Sequence, residues 1–225
     1  RHGMRNNELE LRYQPQVDTR SGSVVGAEAL VRWEHPEKGM IPPFRFIPLM
    51  EEMGFIGALG EWVLREACRQ MKAFEAEGLM LPKVSVNVSA LQFNTAFIRT
   101  IKTVLEETGL APAKLELELT EGVVMADASA TLEALTELKS MGLSLSIDDF
   151  GTGYSSLSYL SRFPLDELKI DRSFVIEFDK SENDASLVVA IIAMARSLNL
   201  RLVAEGVETS EQYEFLTSNG AHVIQ

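Results

Sequence analysis

The chain has 225 residues, 46% of them hydrophobic, which is enough for one large domain with a sizeable core. Its formal net charge of −12 argues against nonspecific binding to DNA or RNA, which needs clustered basic side chains, so we expect no nucleic acid polymer as a partner. No apolar run reaches the ~20 residues of a membrane-spanning helix, and the first residues lack the apolar segment of a signal peptide. The one cysteine, Cys68, excludes an internal disulfide, and apolar neighbours at helical spacing predict a packed thiol.

The first two predicted elements are strands that form a hairpin. Residues Leu9–Val17 alternate between apolar and polar side chains, as a half-buried strand does, and Val24–Trp33 is predicted as the second strand. The turn at Asp18–Gly22 is too short for a parallel connection, which needs about a dozen residues or more. We therefore expect the first strand to run antiparallel to the second.

Strands and amphipathic helices alternate through the rest of the chain. Strands are predicted at Val84–Val88, Leu115–Leu119, Leu143–Ile147, Leu168–Ile170, Leu202–Ala204 and from about His222. Helices are predicted at roughly Gly57–Glu77, Ala96–Thr108, Ser129–Ser140, Asp184–Leu198 and Ser210–Ser218, with a shorter crossover at Ser155–Ser161. This alternation favours a parallel sheet covered by helices, and eight strands at this length favour a closed barrel. The predicted fold class is α/β, a TIM-like (β/α)8 barrel with an antiparallel first strand, formed by one domain over residues 1–225.

Polar side chains lie at the carboxyl ends of the predicted strands, where barrels of this kind place their active sites. Asp148 and Asp149 are adjacent acids that cannot both be buried as ions unless cations compensate them. Carboxylate and amide oxygens suit Mg²⁺ or Mn²⁺ rather than zinc, and two ions ~3.5–4 Å apart suit phosphoryl displacement. The histidines show no zinc-ligand spacing. The strand-end residues are Glu28, Asn87, Glu118, Asp148, Asp149, Lys169 and Glu205.

Six motifs occur in order along the chain: Glu28-Ala29-Leu30, Asn87, Glu118–Glu121, Asp148–Gly153, Lys169–Asp171 and Ala204–Glu208. Together they resemble the EAL-domain family of cyclic-di-GMP phosphodiesterases, and the similarity runs from Tyr13 to Gln225. The family fold is a (β/α)8-like barrel with an antiparallel first strand, which agrees with the predicted hairpin. The resemblance implies metal-dependent hydrolysis of one phosphodiester of cyclic di-GMP, giving linear 5′-pGpG.

The resemblance also implies a set of metal ligands. Two Mg²⁺ or Mn²⁺ ions are expected, and Ca²⁺ is expected to inhibit because its coordination is longer and looser. Asp148 would bridge the two ions, and Asp149 would bind the second. The implied ligands are Glu28, Asn87, Glu118, Asp148 and Asp149.

Catalytic and substrate-binding roles follow from the same resemblance. Glu205 would act as general base or position the water, and Lys169 would fix the water or steady the phosphate charge. Glu121, grouped with the catalytic residues, would tether the loop that carries Asp149 by accepting hydrogen bonds from it. The residues implied to contact substrate are Gln14, Leu30, Arg32, Asp171, Glu208 and Gln225.

Each of these residues also has a simpler interpretation. Glu28 alone can be an ion-paired side chain, Lys169 a structural partner of one acid, and Asn87 a partner of loop backbone. Asp149 can cap the following turn, and Glu121 can be a surface acid. Separate structural roles do not explain why a complete set of metal ligands is predicted on one rim of the barrel. An active site is therefore favoured over these simpler interpretations.

Two other functions stay open at this point. Family members that have lost metal ligands bind cyclic di-GMP as receptors without hydrolysing it, but the complete ligand set here favours an enzyme. An unrelated metal-dependent barrel would use Lys169 as a base beside an enolate, and it would not need the loop Asp149–Gly153.

The sequence also predicts a larger context for this domain. Arg1 is not an initiator methionine, and Gln225 lies in an apolar strand-like run without the Gly-Tyr and last helix of the family. We therefore expect a module of a longer protein, truncated at the C-terminus, with a sensory or diguanylate-cyclase-like domain upstream. A homodimer contact is expected through the loop around Phe150–Tyr154. A cytoplasmic location is expected for the domain, with or without a membrane anchor elsewhere in the parent protein.

Overall fold

The computed structural model describes residue 6 and residues 8–126, 128–151, 160–177 and 182–225. The strands are β1 (Leu9–Asp18), β2 (Val24–His35), β3 (Gly39–Ile41), β4 (Val84–Val88), β5 (Leu115–Thr120), β6 (Ser144–Phe150), β7 (Glu167–Ile170), β8 (Arg201–Ala204) and β9 (Val223–Ile224). The helices are α1 (Pro43–Glu52), α2 (Ile56–Ala76), α3 (Thr95–Thr108), α4 (Glu121–Ala126), α5 (Ala128–Ser140), α6 (Arg172–Glu177), α7 (Glu182–Ser197) and α8 (Ser210–Asn219), with a 3₁₀ turn at Pro112–Lys114. Most of the predicted crossover at Ser155–Ser161 and residues 152–154 of the predicted dimer loop lie outside the described residues.

Eight of the strands close into a barrel. The ring runs β1, β2, β4, β5, β6, β7, β8, β9 and back to β1. Strand β1 is antiparallel to both of its neighbours, and the other strands of the ring are parallel to one another. The short β3 pairs with the end of β2 and is not part of the ring. The fold is therefore the predicted TIM-like barrel with an antiparallel first strand.

Helix α1 was not predicted because prolines hide its helical pattern. Pro43 lies in its first turn, where a missing N–H and a fixed φ are favourable, and Pro48 lies inside the helix. Helices α4 and α6 were also not predicted, since each has six residues and follows β5 or β7 almost at once. Both short helices therefore begin at the carboxyl rim of the barrel.

The hydrophobic core lies between the barrel and its helices. Val84, Val86 and Val88 alternate along β4 and are buried. Cys68 on α2 is fully buried in this layer, and burial raises the pKa of its thiol to about 12, so the predicted packed thiol is confirmed. None of the helices in the described part of the chain combines the length and the apolarity needed to cross a bilayer.

Many of the side chains inside the barrel are polar. The amino-terminal end of the barrel holds a set of charged residues that we call the floor cluster: Lys83, Glu116, Glu167 and Arg201. The Lys83 ammonium lies 2.7 Å from carboxylate oxygens of both Glu116 and Glu167. Arg201 reaches Glu167 from the protein surface at 3.6 Å. Strand β6 separates β5 from β7, so Lys83 can join them only across the barrel interior. Buried ion pairs therefore join opposite sides of the barrel at its amino-terminal end.

Candidate active site

Lys169 lies at the centre of the candidate active site, fully buried inside the barrel. Its ammonium nitrogen is 2.6 Å from Glu205, 2.8 Å from Glu118, 3.1 Å from Glu28 and 3.5 Å from Asp148. We call these five residues the upper cluster. Its carboxylates come from β2, β5, β6 and the segment after β8, so these predicted strand-end residues do converge on one point.

Strand periodicity explains why the two clusters lie at different levels of the barrel. Side chains two residues apart on a strand point to the same face. Glu116 and Glu118 therefore both point inward from β5, and Glu167 and Lys169 both point inward from β7. The first residue of each pair joins the floor cluster, and the second joins the upper cluster.

Two amides hold the Glu28 carboxylate. The side-chain amide of Asn87 donates to Glu28 Oε1 at 2.6 Å, and that of Gln225 donates to Glu28 Oε2. Burial disfavours the ionised form of Glu28, but the charge of Lys169 and these two hydrogen bonds outweigh it and hold its pKa below the usual value. Glu28 is thus kept ionised, and the interpretation of Asn87 as a partner of loop backbone is not supported by its observed contact.

Burial and mutual repulsion raise the pKa of the other carboxyl groups in the upper cluster. The pKa of Glu118 is well above its usual value, because burial and two neighbouring carboxylates outweigh the charge of Lys169. Burial likewise raises the pKa of Asp148, and it raises that of Glu205 to about 7. The pKa of Lys169 is also raised, since the surrounding carboxylates outweigh its burial. One ammonium does not stabilise four carboxylates, so the cluster favours additional protons or cations.

Asp149 lies beside the upper cluster rather than in it. The β6–β7 register shifts between Ile147 and Phe150, and Asp149 has a left-handed φ of 54°, rare for a residue other than glycine. Its backbone N–H donates to Asp148 Oδ1 at 2.9 Å, and its side chain lies close to the Asp171 carboxyl group. Burial and repulsion from the two aspartates raise its pKa to about 6. The bulge thus aims two adjacent acids in different directions.

Glu121 is buried and is not a surface acid. Glu121 is the first residue of α4 and is 5% exposed. Its Oε2 accepts a hydrogen bond from the backbone N–H of Gly151 at 3.4 Å. Its other oxygen, Oε1, is buried with no hydrogen-bond partner among the described residues. The contact with Gly151 agrees with the predicted tether to the segment that carries Asp149, although at 3.4 Å it is a weak hydrogen bond.

The residues implied to bind substrate are placed in two groups. Gln14 is opposite Glu28 in the β1–β2 register and therefore points to the same face, and Gln225 contacts Glu28 directly. In contrast, Arg32 donates to the carbonyl oxygen of the preceding residue, and Glu208 forms an exposed ion pair with Arg172 at 3.0 Å. Arg32 and Glu208 are therefore not brought to the upper cluster.

A cavity of about 370 Å³ opens beside the upper cluster, between the rim of the barrel and helices α1 and α2. Its wall includes Leu30 and Asn87, both predicted site residues, together with Asp149. Apolar side chains form much of the remaining wall, among them Pro43, Ile47 and Val63. Cavities of this size and composition suit an organic ligand with a few polar anchor points.

The donor set fits hard cations, although it is not preformed for them. Among the described residues, no group of three or more acidic, histidine or cysteine side chains has the spacing of a ready metal site. Lys169 instead lies between the carboxylates. Glu118 Oε1 is nevertheless buried with no hydrogen-bond partner in the described part of the chain, which leaves an oxygen free to bind a cation. The residues that could hold Mg²⁺ or Mn²⁺ are Glu28, Asn87, Glu118, Asp148 and Asp149.

Gln16 was not predicted as a site residue, but the structure connects it to the site. Its side chain is fully buried, and its Nε2 donates to Gln225 Oε1 at 3.0 Å. The available signal was the alternation on β1, where Gln14 and Gln16 are two residues apart and so share the face that points into the barrel.

Comparison with known proteins shows the family of this chain and agrees with its fold. An EAL domain family model matches residues 1–225, and the chain belongs to the EAL-domain family. The bifunctional diguanylate cyclase/cyclic di-GMP phosphodiesterase MucR of Pseudomonas aeruginosa is 49% identical over 226 residues, covering 100% of this chain and 33% of that protein. The cyclic di-GMP phosphodiesterase NbdA of the same organism is 46% identical over 226 residues, covering 100% of this chain and 29% of that protein.

A solved structure of the PaMucR phosphodiesterase in complex with c-di-GMP has the same fold, with a TM-score of 0.97 and 48% identity. The similarity covers 100% of this chain and 91% of that chain. The present chain spans about a third of the length of the two curated relatives. The relatives are thus cyclic-di-GMP phosphodiesterases of which this chain matches one part.

Proposed function

We propose that this chain is a metal-dependent phosphodiesterase that hydrolyses cyclic di-GMP to linear 5′-pGpG. The observation that carries the proposal is the upper cluster, where four carboxylates surround one ammonium inside the carboxyl end of the barrel. Its excess negative charge would oppose binding of a phosphodiester unless cations joined it. The identity to relatives named cyclic di-GMP phosphodiesterases supports the choice of substrate.

The cations are proposed to be two Mg²⁺ or Mn²⁺ ions held by Glu28, Asn87, Glu118, Asp148 and Asp149. When bound, they offset the excess carboxylates and stabilise the negative charge that develops on the phosphate. The charge of Lys169 and the hydrogen bonds from Gln225 and Asn87 keep Glu28 ionised, and the two amides also orient its carboxylate. Glu121 holds the backbone at Gly151, two residues after Asp149, and so limits where the Asp149 carboxylate can lie.

Glu205 is the proposed general base. Its side chain is 18% exposed, whereas the other carboxylates around Lys169 are at most 11% exposed, so it faces the incoming substrate. Its pKa of about 7 suits proton transfer near neutral pH. Glu205 takes a proton from water as the water oxygen bonds to phosphorus and the P–O3′ bond breaks, and the leaving 3′ oxygen takes up a proton from solvent. Lys169, 2.6 Å away, positions the Glu205 carboxylate and adds positive charge near the phosphate.

We further propose the context in which this domain works. The length of its relatives supports fused domains in the parent protein, such as a sensory or diguanylate-cyclase-like domain. A homodimer through the loop around Phe150–Tyr154 and a cytoplasmic location of the domain stay predictions from the sequence. The accompanying cellular roles would be those of a cyclic-di-GMP signal, such as biofilm formation and motility.

The test is chromatography of the products formed from cyclic di-GMP by the purified protein. We expect linear pGpG with Mg²⁺ or Mn²⁺, and no product after chelation of the metal. Ca²⁺ should support substrate binding but inhibit turnover, because its longer and looser coordination misplaces the attacking water. Tight binding of cyclic di-GMP without product in Mg²⁺ and Mn²⁺ would contradict hydrolysis and establish the receptor alternative. Full activity in Ca²⁺ alone would contradict the two-metal arrangement.

A further inference from the structure

We propose that Gln16 is a positioning residue that fixes the orientation of the Gln225 amide, and through it the Glu28 carboxylate as a metal ligand. This inference rests on the proposed function, since it assigns a role to Gln16 within the same metal site. Within the described part of the chain, the Gln16 side chain is hydrogen-bonded to Gln225 and to no residue of the upper cluster. Gln16 acts through a chain of two hydrogen bonds.

The first step is the strand register that places the three residues together. Strand β1 pairs with β9 so that Val17 is opposite Ile224 and Asp18 is opposite Val223. The next position along this ladder places Gln16 beside Gln225. On its other side β1 pairs with β2, where Gln16 is opposite Gly26, two residues before Glu28. Gln16 therefore lies between the two strands that carry Gln225 and Glu28.

The second step is the direction of the hydrogen bonds. Gln16 Nε2 donates to Gln225 Oε1 at 3.0 Å, and Gln225 Nε2 donates to Glu28 Oε2. An amide can be rotated by 180° so that its oxygen and nitrogen exchange places. A rotated Gln225 would place its oxygen against the Glu28 carboxylate and its NH₂ group against the NH₂ group of Gln16. The Gln16 donor and the Glu28 acceptor thus favour the same orientation of the Gln225 amide, and Gln16 reinforces it from the far side.

Gln16 lowers the stability of the fold, so stability does not explain the presence of a glutamine at this position. Its Oε1 is buried with no hydrogen-bond partner among the described residues, and an unsatisfied buried acceptor costs about 1–3 kcal/mol. Gly26 makes room for this amide, because a Cβ there would lie 2.7 Å from Gln16 Oε1. An apolar side chain of the same volume would avoid the unsatisfied oxygen. Buried polar atoms normally have hydrogen-bond partners, and exceptions to this are typical of functional sites.

The consequence is a change in metal affinity. Some residues do not bind a metal but are hydrogen-bonded to its ligands and orient them. Removal of such a residue typically lowers the affinity for the metal by about 10–100-fold. Gln16 acts one hydrogen bond further out than Gln225, so we expect a change at the lower end of this range. Glu28 would stay ionised through Lys169 and Asn87, but one of its oxygens would lose a fixed donor.

The experiment measures Mn²⁺ binding by calorimetric titration without substrate. We expect Gln16→Met to bind Mn²⁺ about tenfold more weakly than the wild type, with little change in the denaturation midpoint, since the substitution also removes the unsatisfied oxygen. Gln16→Glu, which cannot donate when ionised, should weaken binding further. In a Gln225→Met background, adding Gln16→Met should have no further effect on Mn²⁺ affinity.

Gln212→Met is the matched control. Gln212 is also a buried glutamine, but its Oε1 accepts backbone N–H groups that cap α8, so its loss should lower stability without changing Mn²⁺ affinity. Equal Mn²⁺ affinity of the wild type and Gln16→Met would overturn this inference alone. Additive effects of Gln16→Met and Gln225→Met would overturn the route through Gln225. Absence of Mn²⁺ binding by the wild type would overturn the proposed function itself.

Discussion

Two buried lysines occupy opposite ends of the same barrel, and their surroundings differ in charge. Lys83 in the floor cluster lies between Glu116 and Glu167, and Arg201 adds a second positive charge from the surface. When all four are ionised, two positive charges face two negative ones. Lys169 in the upper cluster faces four carboxyl groups, so an excess of three negative charges would result if all five groups were ionised.

This difference shows that burial of charge does not by itself mark a functional site. Both lysines are buried and both form short ion pairs, but the floor cluster is balanced in charge when all four of its groups are ionised. The upper cluster can hold its charge only with added cations or protons. The ratio of acids to bases, rather than the presence of buried charges, therefore separates a structural cluster from a candidate metal site.

The largest expected effect comes from removing the floor lysine. Lys83→Met leaves two carboxylates buried without their shared partner, which should lower the free energy of unfolding by about 3–5 kcal/mol. Chemical denaturation measures this loss. The turnover rate per folded molecule should stay close to that of the wild type, because Lys83 does not contact the upper cluster.

Lys102→Met provides the control for Lys83→Met. Lys102 forms an exposed pair with Glu137 at 2.8 Å, and pairs of this kind contribute about 0.2–1 kcal/mol. If Lys83→Met destabilised the protein no more than Lys102→Met, the floor cluster would not have the structural role assigned to it.

The second effect concerns the same type of substitution in the two clusters. Glu205→Gln keeps the shape of the side chain and removes the proposed base, so hydrolysis should slow by about 10²-fold or more, equivalent to about 2.7 kcal/mol. Binding of cyclic di-GMP in Ca²⁺ should largely survive. Glu167→Gln in the floor cluster should leave the rate unchanged. Equal losses of binding and rate in Glu205→Gln would reassign Glu205 to substrate recognition.

The third effect is a pH dependence of stability that originates in the floor. Burial and repulsion from Glu116 raise the pKa of Glu167 from 4.5 to about 7 in the folded protein. Between these values the folded state holds a proton that the unfolded state has released, so the free energy of unfolding falls as pH rises. Glu167→Gln lacks this titration.

Denaturation of the wild type and Glu167→Gln at several pH values measures the effect. The stability of Glu167→Gln relative to the wild type should increase by about 2 kcal/mol between pH 5 and pH 7. A constant difference in the free energy of unfolding between the two proteins from pH 5 to pH 7 would contradict this prediction. It would show that the floor cluster does not raise the pKa of Glu167.

The smallest of the four effects concerns the rim of the upper cluster. Glu121→Ala removes the acceptor for the Gly151 N–H, so Asp149 should be less well placed and hydrolysis about tenfold slower, with partial recovery at high Mg²⁺. Asp149→Asn should behave similarly, because both changes affect the same ion. Rates measured over a range of Mg²⁺ concentrations test this. A wild-type rate and a wild-type metal dependence in Glu121→Ala would contradict the proposed role of Glu121 as a tether.

The barrel and the upper cluster could be predicted from the sequence because their signals are local. Each strand of the ring shows either alternation or a short apolar run, and the polar residue that ends it is adjacent in sequence. Glu118, Asp148 and Lys169 are identified in this way. Their position at the carboxyl ends of parallel strands then determines that they meet.

Other features depend on relations that are distant in sequence or irregular in geometry. The floor cluster joins Lys83, Glu116 and Glu167, and no local pattern says that these residues share one level of a closed ring. Helix α1 was concealed by its prolines. The direction of Asp149 is set by a register shift and a left-handed φ, which neighbouring residue types do not specify. The contact of Gln16 with Gln225 likewise depends on closure of the ring.

Closure of the ring also determines when during synthesis the site can be complete. Gln225 is hydrogen-bonded to Glu28 and Gln16, which lie 197 and 209 positions earlier in the chain. These hydrogen bonds can form only after β9 has docked between β8 and β1. Contacts of such long sequence separation form slowly, since a long loop must be ordered first. A nascent chain that has exposed all of its carboxylates but not its last strand would hold Glu28 without its Gln225 donor. The hydrogen-bond network around Glu28 would therefore be complete only once translation has passed residue 225.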